Sequence, residues 1–184
     1  MRSAFLLVSM VAAAACASSG SPAPDVSTPG QRTVAVDDHQ VYRTSVAVNP
    51  RFPIPASPSR VFEALKSVYE DLGVPPGTHD PATGRIGNTD FWKARRFANE
   101  PISTFLSCGE TFTGPAANNY RIYMSLVSVV RPDGKGASEV ETAFSAQAQN
   151  MEGTSSDRIT CGSTGKLEEL IRKSALLKIS PTGL

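Results

Sequence analysis

From Tyr120 to Gln149 the chain alternates apolar and polar residues over two long runs, and few folds accommodate such a pattern. Tyr120, Ile122, Met124, Leu126 and Val130 share one face of the first run, with Arg121, Tyr123, Ser125 and Arg131 on the other. In the second run Val140, Thr142, Phe144, Ala146 and Ala148 alternate with Glu139, Glu141, Ser145, Gln147 and Gln149. A period of two is the signature of a half-buried strand, and Pro132-Asp133-Gly134 between the runs is strong turn chemistry. The pair reads as a long antiparallel hairpin, wet on one side and needing a cover on the other.

The last helix supplies that cover. Ser163 or Thr164 is placed to cap it, with Glu168 and Glu169 near its positive end and Arg172, Lys173 and Lys178 near its negative end. Leu167, Leu170, Ile171, Ser174 and Leu177 are the expected buried stripe. Upstream, Tyr42, Thr44, Val46 and Val48 predict a first strand, ended by the Pro-rich stretch from Asn49 to Pro58. Ser57 then stands as an N-cap before Pro58 at the first helical position. Val61, Phe62, Leu65, Val68, Tyr69 and Leu72 follow at helical spacing until Gly73 and Pro75-Pro76 stop the helix. The stretch from Gly77 to Phe97 predicts a turn, a short strand, a second turn and another strand, and Ile102 to Phe112 a further strand ending near Cys108. The expected fold is α+β: an antiparallel sheet of about five or six strands with two helices packed on one face.

The order strand, helix, strands, helix, with the phrase "SPSRVFEALKSV" from Ser57 to Val68, resembles the helix-grip arrangement of START and polyketide-cyclase-like domains, and of domains in outer-membrane assembly lipoproteins. The resemblance spans most of residues 40 to 178. It implies a cavity between the sheet and the C-terminal helix, where Met124, Leu126, Phe144, Leu170 and Leu177 would either pack or line a void. It carries no catalytic residue across.

The N-terminus speaks of place. Arg2 precedes an apolar stretch from Ala4 to Ala15, too short to span a bilayer and typical of a secretory signal peptide over residues 1–15. Ala13, Ala14 and Ala15 lead directly into Cys16, which resembles the lipobox of bacterial lipoproteins, with Ala13 where Leu is usual. The resemblance implies cleavage before Cys16, a diacylglyceryl group on its thiol, an acylated amine and durable membrane anchoring. Ala17, rather than Asp, then implies the periplasmic face of the outer membrane. Residues 16–38, rich in Ser, Pro and Gly, read as a lipidated cysteine with a flexible tether. Such a tether spans roughly 25 Å root-mean-square as a coil. Residues 39–184 form a single domain. The chain carries 18 Lys+Arg against 17 Asp+Glu, and loss of Arg2 leaves them equal, a balance that argues against nucleic acid as partner.

Cys108 and Cys161 remain as an even pair in an oxidising compartment and read as a disulfide, worth about 4 kcal/mol in the chain-entropy model. Only His39 and His79 are available to complete a zinc site, and no C-x-x-C is present for redox work. Neither histidine neighbours an obvious nucleophile. "GSTGK" from Gly162 to Lys166 fails as a phosphate loop, since Thr160 and Leu167 occupy positions that need Gly and Ser or Thr. Ser163 and Lys166 imitate an S-x-x-K motif without its partner motifs, so a helix start accounts for them.

One constellation is left: Trp92, the only tryptophan, with Lys93, Arg95 and Arg96 in "FWKARRF". It reads either as a strand with buried Phe91 and Phe97 and a solvated basic face, or as a patch for an anionic lipid, an anionic glycan or another envelope protein. The expectation is a non-enzymatic, lipid-anchored envelope protein, without cofactor or metal, that binds another envelope component or serves a structural role. The rival is a helix-grip module holding an apolar ligand.

Overall fold

The computed structural model describes residues 31–35, 41–45, 50–151 and 157–180. The signal peptide, Cys16 and most of the tether lie outside the described residues, as does His39. The chain is mixed α+β. In order it forms β1 (Gln31–Ala35), β2 (Val41–Ser45), β3 (Arg51–Ile54), α1 (Pro58–Asp71), β4 (Thr78–Asp80), β5 (Arg85–Ala94), β6 (Arg96–Phe97), β7 (Glu100–Pro101), a 3-10 turn (Ile102–Thr104) and β8 (Leu106–Ser107). Then come β9 (Glu110–Thr111), β10 (Gly114–Pro115), α2 (Ala116–Asn119), β11 (Arg121–Pro132), β12 (Ser138–Gln149), β13 (Arg158–Ser163) and α3 (Lys166–Ile179).

The hairpin expected from the alternating runs is the centre of a seven-stranded antiparallel sheet in the order β4-β5-β11-β12-β13-β8, with β3 also on β12. β11 and β12 pair without interruption, Leu126 facing Phe144 and Met124 facing Ala146. Asp133 closes their turn, its Oδ1 accepting the backbone N–H groups of Lys135 and Ala137. The second edge of β12 is divided: Ser138–Glu141 pairs β3, and Ala146–Gln149 pairs β13.

α1 has the expected bounds, with Ser57 at the N-cap and Gly73 in the left-handed region just past the end. It buries Val61, Phe62, Leu65, Val68 and Tyr69 and packs against α3, β5 and β11. Arg60 Nη2 donates to the Ile179 carbonyl at 2.6 Å and Lys178 pairs Asp71 at 2.7 Å, so each helix meets the other's C-terminal end. Three hydroxyls sit inside this core. Tyr69 Oη lies 2.9 Å from Ser128 Oγ, which lies 2.8 Å from Thr142 Oγ1. Burial, opposed only by the Ser128 bond, pushes the Tyr69 phenol well above its ordinary value.

Several sequence expectations are corrected. The Pro-rich stretch contains strand β3: Phe52 and Ile54 are buried, and Pro53 is tolerated because β3 pairs on one side only and needs no second row of donors. The strand around Tyr42 pairs not with the main sheet but with Gln31–Ala35, inside the segment read as tether. Ile102 to Phe112 is no continuous strand. Ile102–Thr104 is a 3-10 turn, and only Leu106–Ser107 joins the sheet. α3 begins after Gly165 in a left-handed conformation rather than at Ser163 or Thr164. Its buried ridge is Leu167, Ile171, Ala175 and Ile179, while Leu177 is 72% exposed. Glu168 is buried beside this ridge, with Ser163 Oγ donating to its carboxylate at 2.8 Å.

The disulfide forms as read. Gly162 pairs Ser107 in the β13–β8 ladder, and the next position along it holds Cys161 and Cys108, with Cα atoms 4.3 Å apart. That is the close spacing of a non-hydrogen-bonded antiparallel pair. The bond closes a loop of 53 residues and fixes the last strand to the sheet's short edge. Replacing Cys108 or Cys161 by Ala should cost about 2–4 kcal/mol, lowering the melting temperature by about 5–10 °C. The double variant should lose little more than either single one, which differential scanning calorimetry can check.

Candidate binding surface

The outer face of the sheet is decided by a bulge in β5. Opposite Met124 and Leu126 stand Phe91 and Asn88, so one extra residue is inserted on β5 at this point. Because side chains alternate, one inserted residue reverses every position beyond it. Phe91 therefore faces the core with Met124, and Trp92 turns outward, 54% exposed. This insertion is why the alternation from Gly77 to Phe97 looks weak in sequence.

The basic cluster beside Trp92 is dispersed. Lys93 points to the opposite face, its Nζ 3.9 Å from the position a Cβ would take at Gly73, at the end of α1. Arg95 sits at a kink with φ 64° and is exposed, and Arg96 donates to the Asn99 carbonyl. Of the residues singled out in sequence, Trp92 alone lies on the outer face of β5; Phe91 and Phe97 are buried, 6.0 Å apart between ring centroids.

Other residues complete the surface. Tyr123 pairs across the ladder with Trp92 on one side and Gln147 on the other, and Gln147 pairs Thr160. In the next row Ala94, Arg121, Gln149 and Arg158 stand abreast. The Arg121 guanidinium carbon lies 4.6 Å from the Trp92 ring centroid, and that of Arg158 lies 3.7 Å from the Tyr123 ring centroid. A guanidinium resting on an aromatic ring keeps its planar fork of donors pre-oriented. Arg121 and Arg158 flank Gln149 on adjacent strands, which sets their Cα atoms about 10 Å apart.

Charge is distributed unevenly along this face. At the turn end, Arg131 and Arg51 meet Glu141 at 2.6 and 3.3 Å. At the other end, the β12 positions opposite Arg121 and Tyr123 carry Gln149 and Gln147 in place of carboxylates. One end of the sheet neutralises its arginines, and the other presents them on aromatic platforms. The alternation placed Arg121 and Tyr123 on the polar face; Arg158, far along the chain, had no local signal linking it to them.

A separate cleft of about 330 Å³ opens between the second half of α1 and β4–β5, over Tyr69, Val74, Pro76 and Ile86, with Lys66 and His79 at its rim. His79 is exposed, its ring edge-on to Phe62 at 5.0 Å. The cleft is not lined by Met124, Leu126, Phe144, Leu170 or Leu177; the first three are buried in the main core. Asp80, Thr83 and Gly84 form the turn expected of them, with Asp80 accepting from Ala82 and Thr83. Ser163 is engaged by Glu168 and by the Gly165 N–H, and Lys166 opens α3. Among the described residues no group of three or more His, Cys, Asp or Glu could hold a metal ion, and no helix is long and apolar enough to cross a membrane.

No family model, no curated protein and no solved structure matches this chain.

Trp92 is the sole tryptophan, so its emission reports this surface directly. Arg121→Ala should shift the emission to longer wavelength and increase quenching by acrylamide, at a stability cost of about 0.5–1 kcal/mol. An unchanged spectrum would mean that the guanidinium does not rest on the ring in solution.

Proposed function

We propose that this chain is a lipid-anchored protein of the bacterial cell envelope that binds a phosphate- or carboxylate-bearing envelope component through the outer face of its sheet. The observation that carries the binding reading is the pair Arg121 and Arg158, each stacked on an aromatic ring and set across from Gln149 rather than from a carboxylate. Pre-oriented guanidinium groups donate two parallel bonds to a phosphate or carboxylate, and these are stronger than neutral hydrogen bonds. The role is binding rather than catalysis.

The anchor in this proposal is Cys16, preceded by Ala13, Ala14 and Ala15, with the outer membrane's periplasmic face as its place. Acylation at Cys16 would hold the sheet near the headgroups and raise its effective concentration there. The helix-grip arrangement, with α1 and α3 covering one side of the sheet, belongs to the same proposal; direct packing between the two helices supports it.

Two measurements test this reading. Cys16→Ala should release the protein from the membrane fraction, and mass spectrometry of the mature wild-type N-terminus should show added acyl mass. Continued membrane partition without that mass would refute the anchor. Independently, the Arg121→Gln, Arg158→Gln double variant should lose about tenfold or more in affinity for soluble polyphosphate at low salt, with an unchanged melting temperature. Equal affinity in variant and wild type would refute the arginine site.

A further inference from the structure

The most exposed large apolar side chain among the described residues is Phe112, at 106% of its reference exposure. It occupies the two-residue turn of the β9–β10 hairpin, where Gly114 pairs Thr111 and Pro115 pairs Glu110. This hairpin is braced. The Asn119 side-chain amide lies 3.1 Å from Thr111 Oγ1, 3.1 Å from Thr113 Oγ1 and 3.3 Å from the Pro115 carbonyl. Thr111 Oγ1 donates to the Gly114 carbonyl at 2.7 Å, and the Ala116 N–H donates to the Gly109 carbonyl at 3.0 Å. At its foot stands Cys108, bonded to Cys161.

The brace also fixes where the hairpin sits. Asn119 is two residues before Arg121, so the amide that holds the turn leads directly into the strand carrying the stacked arginine. Cys108, just before the hairpin, is bonded to Cys161, which lies three residues after Arg158 on β13. Phe112 and the arginine pair therefore belong to the same end of the sheet. Met151, 52% exposed, follows the end of β12 there. Arg95 and Arg96 follow Ala94, the β5 partner of Arg121.

We infer that this end of the domain docks on an anionic phospholipid bilayer, with Phe112 inserted at headgroup depth and Arg121 and Arg158 on lipid phosphates. The inference rests on the anion-binding reading of the sheet face and names its ligand. A rigid turn inserts its aromatic ring without first losing conformational freedom. The neighbours of Phe112 are Thr111, Thr113, Glu110 and Asn119, which offer no apolar ring to seal a protein pocket against water. They suit the interfacial layer, where an aromatic ring sits among polar groups and cations meet phosphate. Glu110, exposed at the base of the hairpin, opposes an anionic surface.

The test uses the full chain with Cys16→Ser, which removes the acylation site, and vesicles of phosphatidylethanolamine with phosphatidylglycerol against vesicles of phosphatidylcholine alone. Binding should be selective for the anionic vesicles and weaken with salt. Phe112→Ser should lower the affinity about tenfold with an unchanged melting temperature, and Glu110→Gln should raise it. In a Trp92→Phe background, Phe112→Trp should shift its emission to shorter wavelength on vesicles and be quenched by lipids brominated near the headgroup. Polyphosphate binding that depends on Arg121 and Arg158, with vesicle binding indifferent to Phe112 and a water-like emission from Phe112→Trp, would overturn the membrane inference and leave the anion site standing. Loss of both polyphosphate and vesicle binding in the wild-type sequence would overturn both.

Discussion

Twelve residues of β11 lie against twelve of β12 without a break, and every other strand of the sheet is placed by reference to that ladder. β5 adds to the free edge of β11, while β3 and β13 share the free edge of β12. The register is strongly specified because one face is buried: a slip of one residue would drive Arg121, Tyr123 and Ser125 inward and expel Ile122, Met124 and Leu126. The same alternation that builds the core thus writes the outer face, and the arginine pair exists only because core packing fixes what stands beside it.

The core is not purely apolar. Ser128, Ser138 and Thr142 occupy inward positions of the central hairpin, and each finds a partner: Ser128 and Thr142 bond each other, Tyr69 reaches Ser128, and Ser138 donates to the Ala56 carbonyl at 2.7 Å. Buried hydroxyls are tolerable only when satisfied, and satisfied ones impose direction that hydrocarbon contacts do not. Tyr69 therefore orients α1 on the sheet, and Ser138 ties the entry to that helix to the start of β12.

What the sequence made legible was governed by local periodicity. The two long strands, α1 with Ser57 and Gly73 at its ends, and the turn at Asp133 follow from spacing and turn chemistry alone. The pairing of Cys108 with Cys161 was legible from their even count, though not that the two would be direct cross-strand neighbours. The failures have physical causes. β3 hides in a proline-rich stretch because an edge strand tolerates a residue without N–H. Leu177 belonged to a plausible stripe, but the buried ridge follows the i, i+4 row from Leu167 through Ile171 and Ala175 to Ile179 and leaves it outside. The basic cluster looked continuous in sequence, yet alternation, a left-handed residue at Arg95 and the Asn99 carbonyl scatter it. Arg158 joins Tyr123 only through the order of three strands, which no local pattern records.

The extra residue in β5 has a bearing on how this surface can change over time. Substitutions along the strand alter one side chain each, and most of the outer positions face water. A deletion of Thr89 or Asp90 would be absorbed where it falls: the bulge would close into regular pairing, with Asn88 still opposite Leu126 and Phe91 still opposite Met124. A residue lost elsewhere in the strand would instead turn part of it to the other face. Length in this surface is therefore strict except at the bulge, and among descendants of this chain the step between Asn88 and Phe91 is where β5 can lose a residue and keep both its faces.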